Sequence, residues 1–136
     1  MSDHLTIHPV GHVRRRDASL TIEIEPQYVD ALLGLEAFSH ILVLYWFHNN
    51  DTPEGRSTLR VHPRGDRSNP LTGVFATHSP RRPNLIALTR CELKAVAGTT
   101  LTVAGLDALD GSPVVDIKGF IPGEPDADQI RLPRWV

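Results

Sequence analysis

Residues 39–48, SHILVLYWFH, are apolar at both odd and even positions. Successive side chains of a strand face opposite sides, so this run needs cover on both: it is either a central strand between layers or part of the wall of a closed barrel. Neighbouring segments alternate more regularly. Leu20, Ile22 and Ile24 are interleaved with Thr21, Glu23 and Glu25, and Leu59 and Val61 with Thr58, Arg60 and His62, which predicts two half-buried strands. Leu85, Ala87, Cys91 and Leu93 share one parity against Arg90, Glu92 and Lys94, and Gly98-Thr99-Thr100 then turns the chain into 101–104, a hairpin. One helix is expected, with Pro26 at its first position, Tyr28, Val29, Leu32 and Leu33 as an apolar face, and Gly34 as the stop. Six or so short strands and one short helix, punctuated by 10 glycines and 11 prolines, predict a mostly β fold. The expected form is a small, largely antiparallel β-barrel, a single domain over 1–136 with a tail from about 122.

Size and charge narrow the function. A chain of 136 residues buries a core without metals or disulfides, and the single Cys91 has no internal partner. With no charged-then-apolar leader, and a longest apolar run of only 41–47, a cytoplasmic protein without a membrane span is expected. A net charge of −2 does not describe a protein that coats nucleic acid. Locally, Arg14, Arg15 and Arg16 are consecutive, Arg60, Arg64, Arg67, Arg81 and Arg82 crowd the centre, and Glu124, Asp126 and Asp128 gather near the end. These are either solvated surface charge or, if confined to one face, a site for a transient RNA contact.

No nucleotide-binding glycine motif is present, no G-x-S-x-G surrounds Ser39 or Ser79, and the seven histidines lack metal-ligand spacing, so no metal is expected. Residues 49–57 and 62–72 are long polar connections expected to be mobile or partner-dependent.

Two stretches carry chemistry. In GVFATHSPRRPN, residues 73–84, an apolar strand entry runs into two proline turns separated by Arg81 and Arg82. Proline fixes φ and extends the residue before it, so side chains here lose little entropy on engaging a ligand. In LDALDGSPVVDIKGF, residues 106–120, Asp110-Gly111 supplies a turn, Pro113 begins an extended segment, and Asp116 and Lys118 share the parity of Val114. These groups hold a polar ligand, or they form a turn followed by an exposed salt bridge.

Together with GLEAFSHILVLYWFH, residues 34–48, these stretches resemble the TsaA-like, or TrmO, family, whose approximate pattern is G-L-x-x-F-S-H-x-x-V-L-x-x-F-H, then G-V-F-A-T-R-S-P-x-R-P-N-P-I-G-L, then L-D-G-T-P-V-L-D-I-K-P-Y. The resemblance runs from about Gly11 to Ile121. It implies a compact β-barrel methyltransferase, usually a homodimer, that uses S-adenosylmethionine and methylates a modified adenosine beside the anticodon of transfer RNA. By the same resemblance Phe75, Ala76, Thr77, Ser79, Pro80, Arg82, Pro83 and Asn84 form the cofactor loop, and Asp110, Gly111, Ser112, Pro113, Asp116 and Lys118 the second signature. Arg82 is expected on the methionine carboxylate or a neighbouring acid, Phe75 beside adenine, and Asp116 as the catalytic proton acceptor. Ser39 and His40 at the F-S-H positions, with His78 and Arg81, are expected to face the substrate.

Several positions depart from the pattern. His78 stands where the family usually has arginine, Leu85 and Ala87 replace a proline and a glycine, and Gly119-Phe120 replaces P-Y. Only RRRDAS separates Val13 from Leu20, where the transfer-RNA enzymes usually carry a longer loop, and those enzymes often add a C-terminal domain where this sequence ends at Trp135-Val136. A small-molecule methyltransferase and a non-catalytic binding module are the alternative readings. Trp135 reads as an anchor, docked on its own barrel or on a partner.

Overall fold

The computed structural model describes residues 3–123 and 127–136; Glu124 and Asp126 of the acidic cluster lie outside them. Residues up to His48 with Ile86–Phe120 form one compact unit, and Asn49–Leu85 with the described residues from Ile121 onward form a second.

The first unit is a closed barrel of six strands: β1 (Gly11–Arg16), β2 (Ser19–Ile24), β3 (His40–Trp46), β6 (Ile86–Ala97), β7 (Thr100–Ala104) and β8 (Pro113–Gly119). Around the wall the order is β1-β2-β7-β6-β3-β8, and every neighbouring pair is antiparallel. The doubly apolar run becomes β3, hydrogen-bonded on both sides, with Ile41, Val43 and Tyr45 inside. Val13, Ile22, Leu101 and Val114 join them, so the lumen is filled by side chains. The β6–β7 hairpin forms as expected, turning at Gly98 with φ +61°. The Tyr45 hydroxyl donates to the Asp107 carbonyl at 3.1 Å and lies 3.1 Å from Thr89 Oγ1; burial of the ring pushes its pKa up.

The second unit holds β4 (Arg60–Val61) and β5 (Thr72–Gly73), paired with each other, and the one α-helix among the described residues, α1 (Pro53–Ser57). Thr52 caps α1 by accepting from Gly55 N at 2.9 Å. The polar segments 49–57 and 62–72 therefore carry short elements of their own. No helix among the described residues is long and apolar enough to cross a membrane.

Four expectations are corrected. The expected helix after Pro26 is a 3₁₀ segment, Pro26–Leu32, and Gly34 at φ +88° leads into another, Leu35–Ala37. Three residues per turn do not align a face spaced for 3.6, so Leu32 is buried while Leu33 is 93% exposed. The strand around Leu59 and Val61 shrinks to two paired residues with Leu59 in solvent, and the strand entry at Gly73 ends there, followed by a 3₁₀ turn over Val74–Ala76. In β8 a bulge breaks parity. Leu44 pairs with Asp116 but Tyr45 with Val114, leaving Val115 as an extra residue. Val114 therefore points into the core while Asp116 and Lys118 are outside and half exposed.

Cys91 lies in the barrel core, and burial pushes its thiol up to about 11 from 9.0. The core favours the neutral thiol, so its contribution to stability is complete below about pH 9 and is lost as pH rises from there through 11. Thiol labelling at pH 8 is expected to run at least about a hundredfold slower in the native protein than in urea. Equal rates would place Cys91 outside the core.

Candidate functional site

Residues 74–84 are anchored at one end by Val74 and at the other by the adjoining Leu85, both buried. Between them the loop satisfies its own polar groups. Thr77 N and Oγ1 both donate to the Val74 carbonyl, at 3.0 and 2.9 Å, and Oγ1 accepts from Ser79 N at 3.1 Å. Ser79 Oγ accepts from Arg81 N at 3.2 Å. Arg82 Nη1 donates to the carbonyls of Thr77 and Ser79, both at 3.1 Å, so this guanidinium acts as a staple across the loop. From α1, Arg56 Nε donates to the Pro83 carbonyl at 3.1 Å and Nη2 to Asn84 Oδ1 at 3.4 Å. These bonds and the two prolines fix the loop's shape before any ligand arrives. Phe75 is left 83% exposed.

Beside the loop opens a cleft of about 960 Å³, within the size range of ligand pockets. One wall is Ala76 to Arg81, which brings together Ala76, Thr77, His78, Ser79, Pro80 and Arg81 of the expected site; Phe75, Arg82, Pro83 and Asn84 do not line it. A second wall is Val61 to Gly65. Here His62 Nδ1 donates to the Asn69 carbonyl at 2.9 Å, since a carbonyl can only accept, and Asn69 Nδ2 donates to the Pro63 carbonyl at 2.9 Å. Asp66 Oδ1 accepts from Ser68 Oγ at 2.6 Å and Ser68 N at 2.9 Å, which holds its carboxyl below the usual range. Arg64 occupies the left-handed region, with φ +61°. The remaining wall includes Trp135, half-buried within this second unit.

The other expected residues belong to the barrel unit. Ser39 Oγ lies 2.8 Å from His40 Nδ1 at the start of β3. Directly paired residues point the same way, so His40, Lys118 opposite Leu42 and Asp116 opposite Leu44 share the outer face of the β3–β8 ladder. Asp116 Oδ2 is 3.2 Å from Lys118 Nζ and Oδ1 accepts from Ile117 N at 2.9 Å, so the exposed salt bridge forms. Asp110, Gly111 and Ser112 build the connection into β8. Asp110 Oδ1 accepts from Arg15 N at 2.8 Å, Gly111 sits at φ +82° and donates to the Val13 carbonyl at 2.8 Å, and the buried Ser112 accepts through its carbonyl from Val13 N at 2.9 Å.

Sequence reasoning missed four residues. Arg15 read as one of three like charges, yet its guanidinium grips the carbonyls of Leu106 and Ala108. Arg56 gave no signal, because its partners lie 27 and 28 positions away. His62 and Arg64 sat in a stretch read as a connection; the Arg64-Gly65 pair was the available hint of a turn with positive φ.

The geometry can be set beside known proteins. Residues 7–127 match the family described as tRNA-methyltransferase O N-terminal domain. A protein of Methanothermobacter thermautotrophicus named "Probable S-adenosyl-L-methionine-binding protein" is 48% identical over 135 residues, covering 88% of this chain and 93% of its own. The tRNA (adenine(37)-N6)-methyltransferase of Mus musculus is 44% identical over 92 residues, 67% of this chain but 20% of that enzyme. A crystal structure of TrmO from P. aeruginosa superposes with a TM-score of 0.73 at 28% identity, covering 99% of this chain and 63% of that one. The chain thus spans under two thirds of the solved relative and a fifth of the mouse enzyme. With the six-stranded barrel, the 73–84 loop and the β8 signature all inside the matched residues, the chain belongs to the TrmO N-terminal domain family.

Proposed function

We propose that this protein binds S-adenosylmethionine and transfers its methyl group to a nitrogen of a modified adenosine in transfer RNA. The reading rests on family membership over residues 7–127, and the loop within that match supports it by being preformed. The residues present suit the cofactor. Phe75 offers an exposed aromatic face for adenine, and Asn84, its Oδ1 accepting from Arg56, keeps an amide N–H₂ to donate. Phe75 to Thr77, Ser79, Pro80 and Arg82 to Asn84 would hold the cofactor, with Asp110 to Ser112 and Lys118 as the second signature. When bound, the cofactor supplies an electrophilic methyl group on a sulfonium.

The chain's task is alignment. A rigid loop fixes one reactant against the other, the term that dominates an in-line transfer. An amide-like or exocyclic nitrogen is a poor nucleophile, so a carboxylate that takes its proton speeds the step. Asp116 fills that role in this proposal, with Lys118 Nζ 3.2 Å from its carboxylate and Ser39, His40, His78 and Arg81 facing the acceptor. A cytoplasmic homodimer belongs to the same reading: exposed Leu33 and Leu88 give the barrel unit apolar surface that a second copy would cover.

Calorimetric titration with S-adenosylmethionine and S-adenosylhomocysteine, followed by methyl transfer to transfer RNA, tests the proposal. Near one site per chain is expected, with Asp116→Asn binding the cofactor but losing turnover. No binding by the folded protein overturns the cofactor; binding with unchanged turnover in Asp116→Asn removes the carboxylate's role.

A further inference from the structure

We infer that the cleft walled by Arg64, Arg81 and Trp135 is a binding subsite for single-stranded RNA, taking one base against the Trp135 indole and the adjoining phosphates on the two guanidinium groups. The inference rests on the reading of the protein as acting on transfer RNA, and it adds where the RNA beside the reacting base is held. Three observations carry it.

The first is charge. Arg64, Arg81, His62 and His78 line the cleft, and no aspartate or glutamate is among its described lining residues. The Arg81 guanidinium makes one exposed contact among the described residues, 3.5 Å to Glu54 Oε1, and the Arg64 side chain makes no hydrogen bond or ion pair among them. The guanidinium groups of Arg64 and Arg81 are the ordinary partners of a phosphodiester.

The second is backbone strain. Arg64 is held at φ +61° and ψ 17°, a region costly for a side chain with a Cβ, and Gly65 beside it is at φ +67°. The surrounding bonds of Asn69 to Pro63 and His62 to Asn69 over-determine this turn. Glycine would suit the position better, so what arginine adds there is its side chain, placed at the cleft wall.

The third is the aromatic wall. Trp135 is half-buried at the cleft, presented by a turn in which Val136 N donates to the Pro133 carbonyl at 3.3 Å. It lies beyond residues 7–127 that match the family model. A flat ring beside two guanidinium groups is the arrangement by which single strands are held without reading their sequence.

Fluorescence anisotropy of a labelled oligoadenylate of about nine nucleotides tests this at several salt concentrations. Trp135→Ala is expected to weaken binding about tenfold and Trp135→Phe to restore most of it. Arg64→Gly and Arg81→Gln should each reduce the slope of log affinity against log salt by about 0.7. Arg64→Gly also relieves the strained backbone, so its unfolding midpoint should hold or rise while RNA binding falls, which separates a lost contact from a lost fold. Unchanged oligonucleotide affinity in Trp135→Ala and Arg64→Gly overturns the inference. S-adenosylmethionine titrated into the same variants tells the two readings apart. Loss of its binding in Trp135→Ala with oligonucleotide binding intact assigns the cleft to the cofactor and overturns the RNA subsite alone. Failure of the cofactor to bind even the unaltered protein, with oligonucleotide binding intact and sensitive to these variants, leaves the subsite standing and overturns the methyl-transfer reading.

Discussion

Replacing Ile41 by alanine is expected to lower the free energy of unfolding by about 2–5 kcal/mol, out of the roughly 5–15 kcal/mol that a domain ordinarily has. Ile41 is fully buried on β3, pairs with Cys91 on one side and Gly119 on the other, and so contributes to two ladders at once. A closed barrel collapses poorly around a missing side chain, because each strand is held by neighbours on both edges and none can slide inward alone. The lost transfer energy therefore adds to that of an unfilled cavity. Urea denaturation would show a lower midpoint with an unchanged slope; a midpoint shifted by less than about 0.5 kcal/mol equivalent would mean the lumen is not packed around this residue.

Arg82→Ala is expected to weaken S-adenosylmethionine binding at least about tenfold while leaving the barrel's unfolding midpoint in place. The physical reason is preorganisation rather than direct contact. Arg82 Nη1 ties the carbonyls of Thr77 and Ser79, and without it the segment between Val74 and Pro83 loses the bonds that oppose its backbone entropy. A ligand must then order the loop as it binds. The entropic component of binding, read by calorimetry, should become more unfavourable. A variant that binds as tightly as the parent would show that the proline pair alone sets the loop's shape. Tightness lost wholly in enthalpy would point to direct contact by the guanidinium, as the resemblance suggested.

The barrel was largely legible in the sequence because period-two patterning and the doubly apolar run are local signals of a global arrangement. β2, β3, β6 and β7 all carry them, and the Gly98 turn fixes one register. The 26–34 segment misled because a 3₁₀ and an α segment share the same proline start and glycine stop, and only packing decides between them. The bulge at Val115 left no mark in composition, since valine suits a ladder and a bulge alike, yet it alone puts Val114 and Asp116 on opposite faces. The loop's rigidity was readable from Pro80 and Pro83; the arginine staples were not, because nothing in a guanidinium's sequence neighbours says that it will bond to carbonyls. The wall containing Trp135 was unreadable for a different reason, being made by residues more than fifty positions away from the loop they meet.

The ladder that closes the barrel is its shortest. β1 and β8 pair as strands through Gly11 with Val114 and His12 with Pro113, which has no N–H to give, and three flanking backbone bonds, Val10 N to Val114 O, Val13 N to Ser112 O and Gly111 N to Val13 O, extend the seam, whereas β1 meets β2 through all of Gly11 to Arg16. It is also the seam that joins the ends of the barrel's chain, so its closure carries the largest loop entropy and comes last in assembly. A cylinder with one thin seam breathes there first, and each opening briefly turns a protein without barrel edges into an open sheet with two. Arg15, bonded to Leu106 and Ala108 and receiving Asp110 on its amide, latches β1 to the segment leading into β8. In a crowded solution that latch limits how long one copy can offer a bare strand to the next, which makes an arginine in a basic run a safeguard against strand exchange between copies.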